Sequence, residues 1–414
     1  MSVPQTFPET SYPKHLIKVL LLENIHESAH QLIHAEGFDL EVVPSALKEP
    51  ELIERIRDVH LVGIRSKTRI TEAVLANARR LLSVGCFCIG TNQVDLEAAN
   101  RRGIPVFNAP FSNTRSVAEM VMSEVVALSR QLGDRNREMH EGNWQKTAKG
   151  CHEIRGKTIG IIGYGRIGTQ VGVLAEALGM RVLFYDIAAR LPIGNNQAVE
   201  SLGELLGKSD FVTLHVPATP QTKGMMDKGA LLSMKPGSHL LNLSRGSVVD
   251  IEALAEALKS GHLAGAAIDV YPREPEGNGQ GFESPLRGLP NVLLSPHIGG
   301  STQEAQENIG REVGGVLIKF VNAGTTTGAV NFPQVEPPAQ EGRHRILNVH
   351  RNVPGVLSRI NKIVSDAHAN IESQVLATDP NIGYLIMDLN QSVSEEVRAH
   401  VAALDTSIRT RILY

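Results

Sequence analysis

The chain has 414 residues, 42% hydrophobic and 21% charged, which is typical of folded globular proteins and suggests two or three domains. Its formal net charge of −3 argues against nucleic acid or an anionic membrane as a partner. Three cysteines exclude a disulfide framework and fit a reducing compartment. The first residues indicate a loose tail rather than a signal peptide, and no apolar run is long enough to span a membrane, so we expect a cytoplasmic protein.

From residue 17 onward, short apolar runs alternate with helical patterns, which predicts βαβ units and parallel sheets covered on both faces. One block ends near residue 108, a long helix is predicted over 116–139, and a second block begins at Thr158. The Pro-rich segment 331–338 predicts a stiff, extended linker. The pattern after it is βαββαβ, the ferredoxin-like order. The predicted α/β fold therefore has two Rossmann-like, doubly wound domains and a ferredoxin-like C-terminal domain.

The cofactor is indicated by a glycine-rich turn between a predicted strand and a helix predicted over 169–178. Gly163, Gly165 and Gly168 have the GxGxxG spacing, in which the glycines allow a tight turn, approach of a pyrophosphate and close helix packing. Asp186 ends the next predicted strand, 18 residues after Gly168. A carboxylate there accepts hydrogen bonds from the ribose hydroxyls and repels a 2′-phosphate. The pattern predicts NAD rather than NADP.

Three polar residues follow predicted strands of the second block: Arg245, Glu274 and His297. Because ligands of parallel sheets bind at the carboxyl ends of the strands, the three could converge on one crevice. Oxidation of an alcohol needs a general base and a cation. We assign His297 as the acid/base, Glu274 as the group that orients its ring, and Arg245 as the grip on a substrate carboxylate. Taken singly, each could equally be an ordinary loop residue.

The order of these motifs resembles that of the D-isomer-specific 2-hydroxyacid dehydrogenases. The chain has the glycine-rich turn, then Asn242–Gly246 with its central Arg, then Glu274-Pro275, then Pro296–Gly300 around the His. The resemblance implies that Arg245, Glu274 and His297 form the active site. It also implies a discontinuous substrate-binding domain (12–113 and 301–335) around an NAD-binding domain (114–300). Further cofactor-binding residues are then Arg166, Ile167, Leu243, Ser244, Asp269, Gly299 and Gly300.

Segments 87–95 and 108–119 are similar to the D-3-phosphoglycerate dehydrogenase branch of that family, and residues 341–414 to its ACT regulatory domain. This implies NAD-dependent oxidation of 3-phosphoglycerate, the first step of L-serine biosynthesis, by a homotetramer. One alternative is another D-2-hydroxyacid dehydrogenase, acting for example on 2-hydroxyglutarate or 2-oxoglutarate. A second alternative is an NAD-sensing scaffold of the corepressor type.

A phosphorylated hydroxy acid needs a cationic pocket, and a basic loop follows the predicted strand 61–64. Its residues Arg65, Ser66 and Lys67 are the predicted phosphate contacts, although a solvated basic loop would show the same pattern. Lys67 stands where relatives have Arg. Two further residues, Trp144 and Lys146, would by resemblance reach the active site of a neighbouring subunit, unless Trp144 anchors a helix end in the core. Asn113 completes the predicted substrate contacts.

The resemblance places an L-serine site between two C-terminal domains and assigns it to His350, Asn352 and Asn370. Val353 departs from an Arg seen in some relatives. The alternative is a domain that only dimerises through a sheet edge. Cys86 and Cys88 lack further ligands at suitable spacing, so no metal site is predicted and an apolar role is favoured over a redox one.

Overall fold

The computed structural model describes residues 11–275, 279, 281–337, 344–389 and 394–414. The predicted N-terminal tail, apart from its last residues, and the first residues of the predicted C-terminal domain, 341–343, lie outside this part of the chain. The chain divides into two compact units, Met1–Ser112 with Gln306–Tyr414 and Asn113–Ala305. The assignment of these units to substrate and cofactor stays a prediction.

The N-terminal part of the first unit alternates strands and helices, as predicted. The elements are β1 (Lys18–Leu22), α1 (Glu27–Ala35), β2 (Asp39–Val43), α2 (Glu49–Arg55), β3 (Leu61–Ile64), α3 (Glu72–Asn77), β4 (Ser83–Cys86), α4 (Leu96–Arg101) and β5 (Val106–Asn108). The strands pair in parallel in the order β2-β1-β3-β4-β5. The inner strands β1, β3 and β4 are almost wholly buried because helices cover both faces.

The second unit contains a seven-stranded parallel sheet, in the order β12-β11-β10-β9-β6-β7-β8. Its elements are α5 (Thr114–Ser129), α6 (Leu132–His140), β6 (Thr158–Ile162), α7 (Arg166–Ala177), β7 (Arg181–Tyr185), β8 (Gln197–Ala198), α8 (Leu202–Lys208), β9 (Phe211–Leu214), α9 (Lys228–Ser233), β10 (Ser238–Asn242), α10 (Ile251–Lys259), β11 (Leu263–Ile268) and β12 (Val292–Leu294). The strands follow the predicted βαβ alternation from Thr158 onward, but the short edge strand β8 was not predicted.

The single helix predicted over 116–139 is wrong, because the structure has two helices, α5 and α6. They are separated at Gln131, whose φ of 50° is left-handed. Asn291, in the turn before β12, donates to the carbonyl of Leu128 at 3.3 Å, and its backbone N–H donates to Asp134 at 2.6 Å. Contacts distant in the sequence therefore interrupt a pattern that is helical locally.

A long helix and the C-terminal sheet complete the elements. They are α11 (Gln303–Ala323), β13 (His344–Arg351), α12 (Val356–Asp366), β14 (Ile371–Thr378), β15 (Ile382–Leu389), α13 (Ser394–Ala402) and β16 (Ser407–Leu413). The antiparallel sheet has the order β14-β15-β13-β16, which confirms the ferredoxin-like prediction. One face packs on α12 and α13, and the other joins the core of the first unit through residues such as Leu347 and Tyr384.

The segment predicted as a stiff, extended linker is packed into the first unit. Phe332 and Val335 are buried in the same core as α11. Thr326 ties the segment back, since its backbone N–H donates to the Val335 carbonyl and its hydroxyl to the Pro333 carbonyl. Asn331 accepts from the Val106 N–H at 2.8 Å. The proline-rich composition predicted extended backbone correctly but could not show that two apolar side chains face inward.

Within the described residues, none of the helices combines the length and the apolar character that crossing a membrane requires. In the same residues, no group of three or more His, Cys, Asp or Glu side chains is placed to hold a metal ion.

Candidate active site and cofactor cradle

The glycine-rich turn has the geometry that a dinucleotide requires. Gly163 has a left-handed φ of 92°, and a Cβ there would collide with the carbonyl oxygen of His215. A Cβ at Gly168 would collide with the carbonyl oxygen of Gly163, so α7 packs closely on the turn. In contrast, a Cβ at Gly165 would meet no atom within 4 Å, which leaves open space beside the start of the helix. The three glycines therefore fit the three roles predicted for them.

The helix that follows this turn begins earlier than predicted, at Arg166 rather than at residue 169. Gly165 is its N-cap and no side chain caps its first turn. The first N–H groups and the positive end of the helix dipole are therefore directed at the open space, where a pyrophosphate would lie. The predicted contacts Arg166 and Ile167 form the first turn itself.

Asp186 ends β7 and lies beside the glycine-rich turn. Its carboxylate accepts hydrogen bonds from the backbone N–H groups of Tyr164 and Ala188, both at 2.9 Å, and pairs with Arg190 at 3.4 Å. The Tyr164 ring stacks on Phe184 with centroids 3.7 Å apart, which fixes the turn against the strand. The acidic residue is thus held at the place where the fold would present it to a ribose.

His297 and Glu274 are brought together by two loops at the carboxyl ends of β11 and β12. His297 Nδ1 and Glu274 Oε2 are 2.9 Å apart, and Glu274 Oε1 accepts from the Tyr271 N–H at 3.1 Å. The hydrogen bond to Glu274 raises the pKa of His297. Burial alone would raise the pKa of Glu274, but the hydrogen bond from His297 and the Tyr271 N–H lower it. Glu274 is therefore favoured in its ionised form, and this carboxylate stabilises the protonated form of the His297 imidazole.

Arg245 follows β10 and is half-buried. One guanidinium nitrogen donates to the Ser244 carbonyl at 2.7 Å, and its positive charge lowers the pKa of both His297 and Glu274. The next residue, Gly246, lies so close to the backbone of Tyr271 and Pro272 that a Cβ would collide with it. This close approach draws the Arg245 turn against the Glu274 loop.

The turn that carries His297 is strained and is held by Asp269, which is 1% exposed. His297 has a left-handed φ of 56°, uncommon for a residue with a side chain. Asp269 Oδ1 accepts from the Ser295 hydroxyl at 2.6 Å and the Ile298 N–H at 2.8 Å, and Oδ2 accepts from the Gly299 N–H at 2.8 Å. Asp269 was predicted as a cofactor contact, and the structure gives its carboxylate three partners in the turn.

The remaining predicted cofactor residues line the same turns. Leu243 and Ser244 are buried at the end of β10, where the Ser244 hydroxyl donates to Asn242 at 2.9 Å. Gly299 lies against Asp269, and a Cβ at Gly300 would collide with the side chain of Asn113. Asn113 immediately precedes α5, and its Oδ1 is buried with no hydrogen-bond partner among the described residues.

The basic loop predicted to bind phosphate lies in the first unit, directly after β3. Ser66 and Lys67 are exposed and Arg65 is half-buried. Beneath it lies Glu23, 8% exposed, which accepts from three backbone N–H groups of the loop. Glu23 was missed by the sequence reasoning. An acidic residue directly after the apolar strand β1 was the available signal.

Trp144 is 76% exposed, so the alternative in which it anchors a helix end in the core is wrong. Lys146 is also exposed, in the irregular segment after α6. An aromatic side chain and a cation presented outward together are available to another molecule.

The three residues predicted to bind an effector lie in two places. His350, near the end of β13, is 3% exposed, and its Nε2 has no hydrogen-bond partner among the described residues. Asn352 follows it and donates to the Asp379 carbonyl at 2.7 Å. Asn370 is exposed and precedes the edge strand β14, beyond the other end of α12. The structure therefore groups His350 with Asn352 but not with Asn370.

All three cysteines are free thiols. Burial raises the pKa of Cys86 well above its usual value and that of Cys88 to about 11, with a smaller contribution from the charge of Glu23. Both thiols are therefore neutral and unreactive at physiological pH, which supports the apolar role.

Known proteins similar to this chain agree with the geometry. Residues 122–299 match the family model of the D-isomer specific 2-hydroxyacid dehydrogenase NAD binding domain, and residues 346–409 match the AHAS small subunit-like ACT domain. D-3-phosphoglycerate dehydrogenase of Dictyostelium discoideum is 54% identical over 407 residues, 98% of this chain and 100% of that protein. The Escherichia coli K12 protein of the same name is 53% identical over 409 residues, with the same coverage of both.

Solved structures extend the likeness to the fold. D-lactate dehydrogenase from Aquifex aeolicus, complexed with NAD and lactic acid, superposes with a TM-score of 0.64 at 29% identity over 73% of this chain and 95% of that one. The NAD-binding family model and the NAD complexes of these structural neighbours show that the cofactor is NAD. The chain therefore belongs to the D-3-phosphoglycerate dehydrogenases, the ACT-bearing branch of the NAD-dependent D-isomer-specific 2-hydroxyacid dehydrogenase family.

Proposed function

We propose that the chain oxidises 3-phosphoglycerate to 3-phosphohydroxypyruvate with NAD, as the first step of L-serine biosynthesis. The observation that carries the proposal is the 2.9 Å pair of His297 and Glu274, beside Arg245, at the strand ends of an NAD-binding fold. Relatives that match the chain from end to end bear the name of this activity.

The proton chemistry belongs to His297. Glu274 occupies Nδ1, and among the described residues Nε2 has no hydrogen-bond partner, so Nε2 is the atom that takes the proton from the substrate hydroxyl. Glu274 stabilises the imidazolium that forms, as the raised pKa of His297 indicates. Bound NAD supplies the hydride acceptor for the carbon that bears this hydroxyl. Arg245 binds the substrate carboxylate and polarises the reacting oxygen.

The phosphate is assigned to the loop after β3. Among the described residues, the Arg65 and Lys67 side chains form no salt bridge, so their charges are available to an anion. Arg65, Ser66 and Lys67 supply two cations and a hydroxyl, which suits a phosphate dianion. Asn113 is assigned to the substrate as well, through its unpartnered Oδ1.

The test is oxidation of NADH by the purified protein with 3-phosphohydroxypyruvate, followed at several substrate concentrations. Fast turnover would support the proposal. Bound NADH without turnover would contradict it and direct the assay to 2-oxoglutarate, the substrate of the alternative dehydrogenase. No turnover with any 2-oxo acid would favour the scaffold.

We further propose that L-serine inhibits the enzyme at the C-terminal domain. Asn352 and Asn370 lie beyond opposite ends of α12, whose 11 residues span about 16 Å at 1.5 Å per residue, which argues against one small amino acid contacting both in one chain. We therefore assign the site to His350 and Asn352 of one chain together with Asn370 of a second chain. L-serine should suppress turnover of the wild type, whereas Asn370→Ala should need far more of it. Equal inhibition of both proteins would exclude this site.

The proposed assembly is a homotetramer, in which Trp144 and Lys146 of one subunit approach the active site of a neighbour. The exposure of both residues supports this arrangement. Light scattering of the wild type and of Trp144→Ala tests it, and a smaller particle with lower activity is expected for the variant. An unchanged particle with full activity would contradict it.

A further inference from the structure

We propose that Glu23 is the positioning residue of the phosphate loop: its buried carboxylate holds the backbone of residues 65–68 so that the side chains of Arg65 and Lys67 present their charges to the substrate. The inference rests on the proposed function, because it takes the phosphate to bind at this loop.

The contacts of Glu23 define the loop. Its Oε1 accepts from the N–H of Thr68 at 2.7 Å and from that of Arg65 at 3.2 Å, and its Oε2 accepts from the N–H of Lys67 at 2.9 Å. Both oxygens are thus used on one loop from an almost completely buried position. Three donors on one acceptor-only group specify the course of the backbone from the end of β3 onward.

The position of Glu23 itself is also specified. Its φ is 64° and that of Asn24 is 53°, so two successive residues with side chains are left-handed at the end of β1. Such conformations persist only where surrounding contacts fix them. The Glu23 N–H donates to the Ser45 carbonyl at 3.3 Å, which ties the turn to the segment after β2. The strained turn directs the carboxylate beneath the loop after β3.

This arrangement determines how an anion can bind. Consecutive backbone N–H groups form concave sites that often bind phosphate. Here an internal carboxylate already occupies the N–H groups of residues 65, 67 and 68, so these groups are not available to the substrate. The Arg65 and Lys67 side chains are then the main groups left to bind the substrate phosphate, and its affinity depends on how well they are placed.

A second side chain holds the loop from the opposite side. Gln93 Nε2 donates to the Arg65 carbonyl at 2.6 Å and to the Gly90 carbonyl at 3.1 Å, which joins the loop to the segment after β4. The loop is thus fixed at its amide groups by Glu23 and at its first carbonyl by Gln93. Such anchoring of the backbone is expected of a preorganised binding loop.

The test compares Glu23→Gln with the wild type on two substrates. The side-chain amide that this substitution introduces would direct its nitrogen at a backbone N–H, so at least one of the three hydrogen bonds is lost. We expect KM for 3-phosphohydroxypyruvate to rise about tenfold, with kcat and the affinity for NADH little changed. Turnover of hydroxypyruvate, which lacks the phosphate, should keep its kcat/KM. Equal losses on both substrates would mean a merely structural role and would overturn the proposal.

Matched controls separate this inference from the proposed function. Glu41→Gln removes an exposed carboxylate of β2 in the same unit and should leave KM and kcat unchanged with both substrates. In an Arg65→Ala/Lys67→Ala background, adding Glu23→Gln should have little further effect on KM, because the side chains it positions are absent. If the double variant raises KM but Glu23→Gln alone does not, the positioning role is wrong and the phosphate assignment stands. If the wild type shows no preference for the phosphorylated substrate, the proposed function fails instead.

Discussion

Two turns, one in each compact unit, are organised in the same way around a buried carboxylate. In the first unit Glu23 accepts three backbone N–H groups of the loop after β3. In the second unit Asp269 accepts two backbone N–H groups and the Ser295 hydroxyl in the turn after β12. Each turn presents the side chains proposed to contact the substrate: the Arg65 and Lys67 cations in one, the His297 acid/base in the other.

The two turns differ in the role proposed for the side chains that each carboxylate positions. The turn held by Asp269 carries His297, whose pKa is raised by a further carboxylate, Glu274, so both its geometry and its protonation are determined. The loop held by Glu23 carries charges that do not need to titrate. A buried carboxylate can therefore serve binding or chemistry, depending on the side chains of the turn above it. Loss of the Glu23 carboxylate in the first unit should therefore raise KM, whereas loss of the Asp269 carboxylate in the second unit should lower kcat.

The largest effect is expected from His297→Asn, which removes the proposed acid/base but keeps a polar side chain that tolerates a left-handed φ. We expect kcat to fall by about 10²- to 10⁴-fold, the usual contribution of a general acid/base. Steady-state kinetics measures this, and NADH fluorescence should show unchanged cofactor binding. A variant that keeps a tenth of the activity or more would place the proton transfer on another group.

The direct counterpart of Glu23→Gln is Asp269→Asn. One amide nitrogen would replace an oxygen that now accepts a hydrogen bond, so the turn can no longer satisfy all three donors. We expect kcat to fall about 10- to 100-fold, because His297 loses its orientation. If Asp269→Asn instead raised KM for the phosphorylated substrate alone, the contrast between the two turns would be wrong.

Glu274→Gln tests the pH dependence. The hydrogen bond with Glu274 raises the pKa of His297, so its loss should lower that pKa. Oxidation requires the neutral imidazole, so the acid limb of its kcat/KM profile should move to lower pH. Reduction requires the imidazolium, so the basic limb of the kcat/KM profile for reduction should also move to lower pH. Glu283→Gln, an exposed carboxylate of the same unit, is the control and should leave both profiles unchanged.

The last prediction concerns protein stability rather than activity, through the ionisable groups that lie near each carboxylate. Burial, and then the charge of Asp269, raise the pKa of Glu124 from 4.5 to about 8, while burial, and then Glu23 among other groups, raise that of Cys88 to about 11. The folded protein keeps the Glu124 proton that the unfolded chain releases above pH 4.5, so stability falls as pH rises. The contribution is about 1.4 kcal/mol per pH unit between the two pKa values. Thermal unfolding from about pH 5 to about pH 8 should show this decline for the wild type and a flatter one for Glu124→Gln.

Much of the fold was predictable because it depends on local periodicity. Apolar runs of four to six residues indicated the inner strands, and the GxGxxG spacing indicated the strand–turn–helix around Gly163. The failures have one physical origin. The break at Gln131 and the burial of Phe332 both depend on partners distant in sequence, and neither leaves a periodic pattern.

The residues proposed for catalysis could be named from the sequence, since they occur in short motifs whose order resembles a known family. The positioning roles of Glu23 and Asp269 could not be inferred in this way. Glu23 accepts hydrogen bonds from backbone N–H groups 42 to 45 residues away, and Asp269 from backbone N–H groups 29 and 30 residues away. Every residue except proline has a backbone N–H, so the sequence alone does not show which of them a carboxylate will meet.

By itself, the sequence determined the cofactor, the βαβ order and the ferredoxin-like domain, and it provided the proposal of the Arg–Glu–His set. Each of these depends on residues close together in the chain or on motifs of fixed spacing. Only the tertiary structure decided that His297 meets Glu274 at 2.9 Å, that Trp144 faces outward, that the proline-rich segment is core and that two buried carboxylates hold the working turns. Those features depend on contacts between residues that are far apart in the sequence, and the packing of the folded chain determines which of these residues meet.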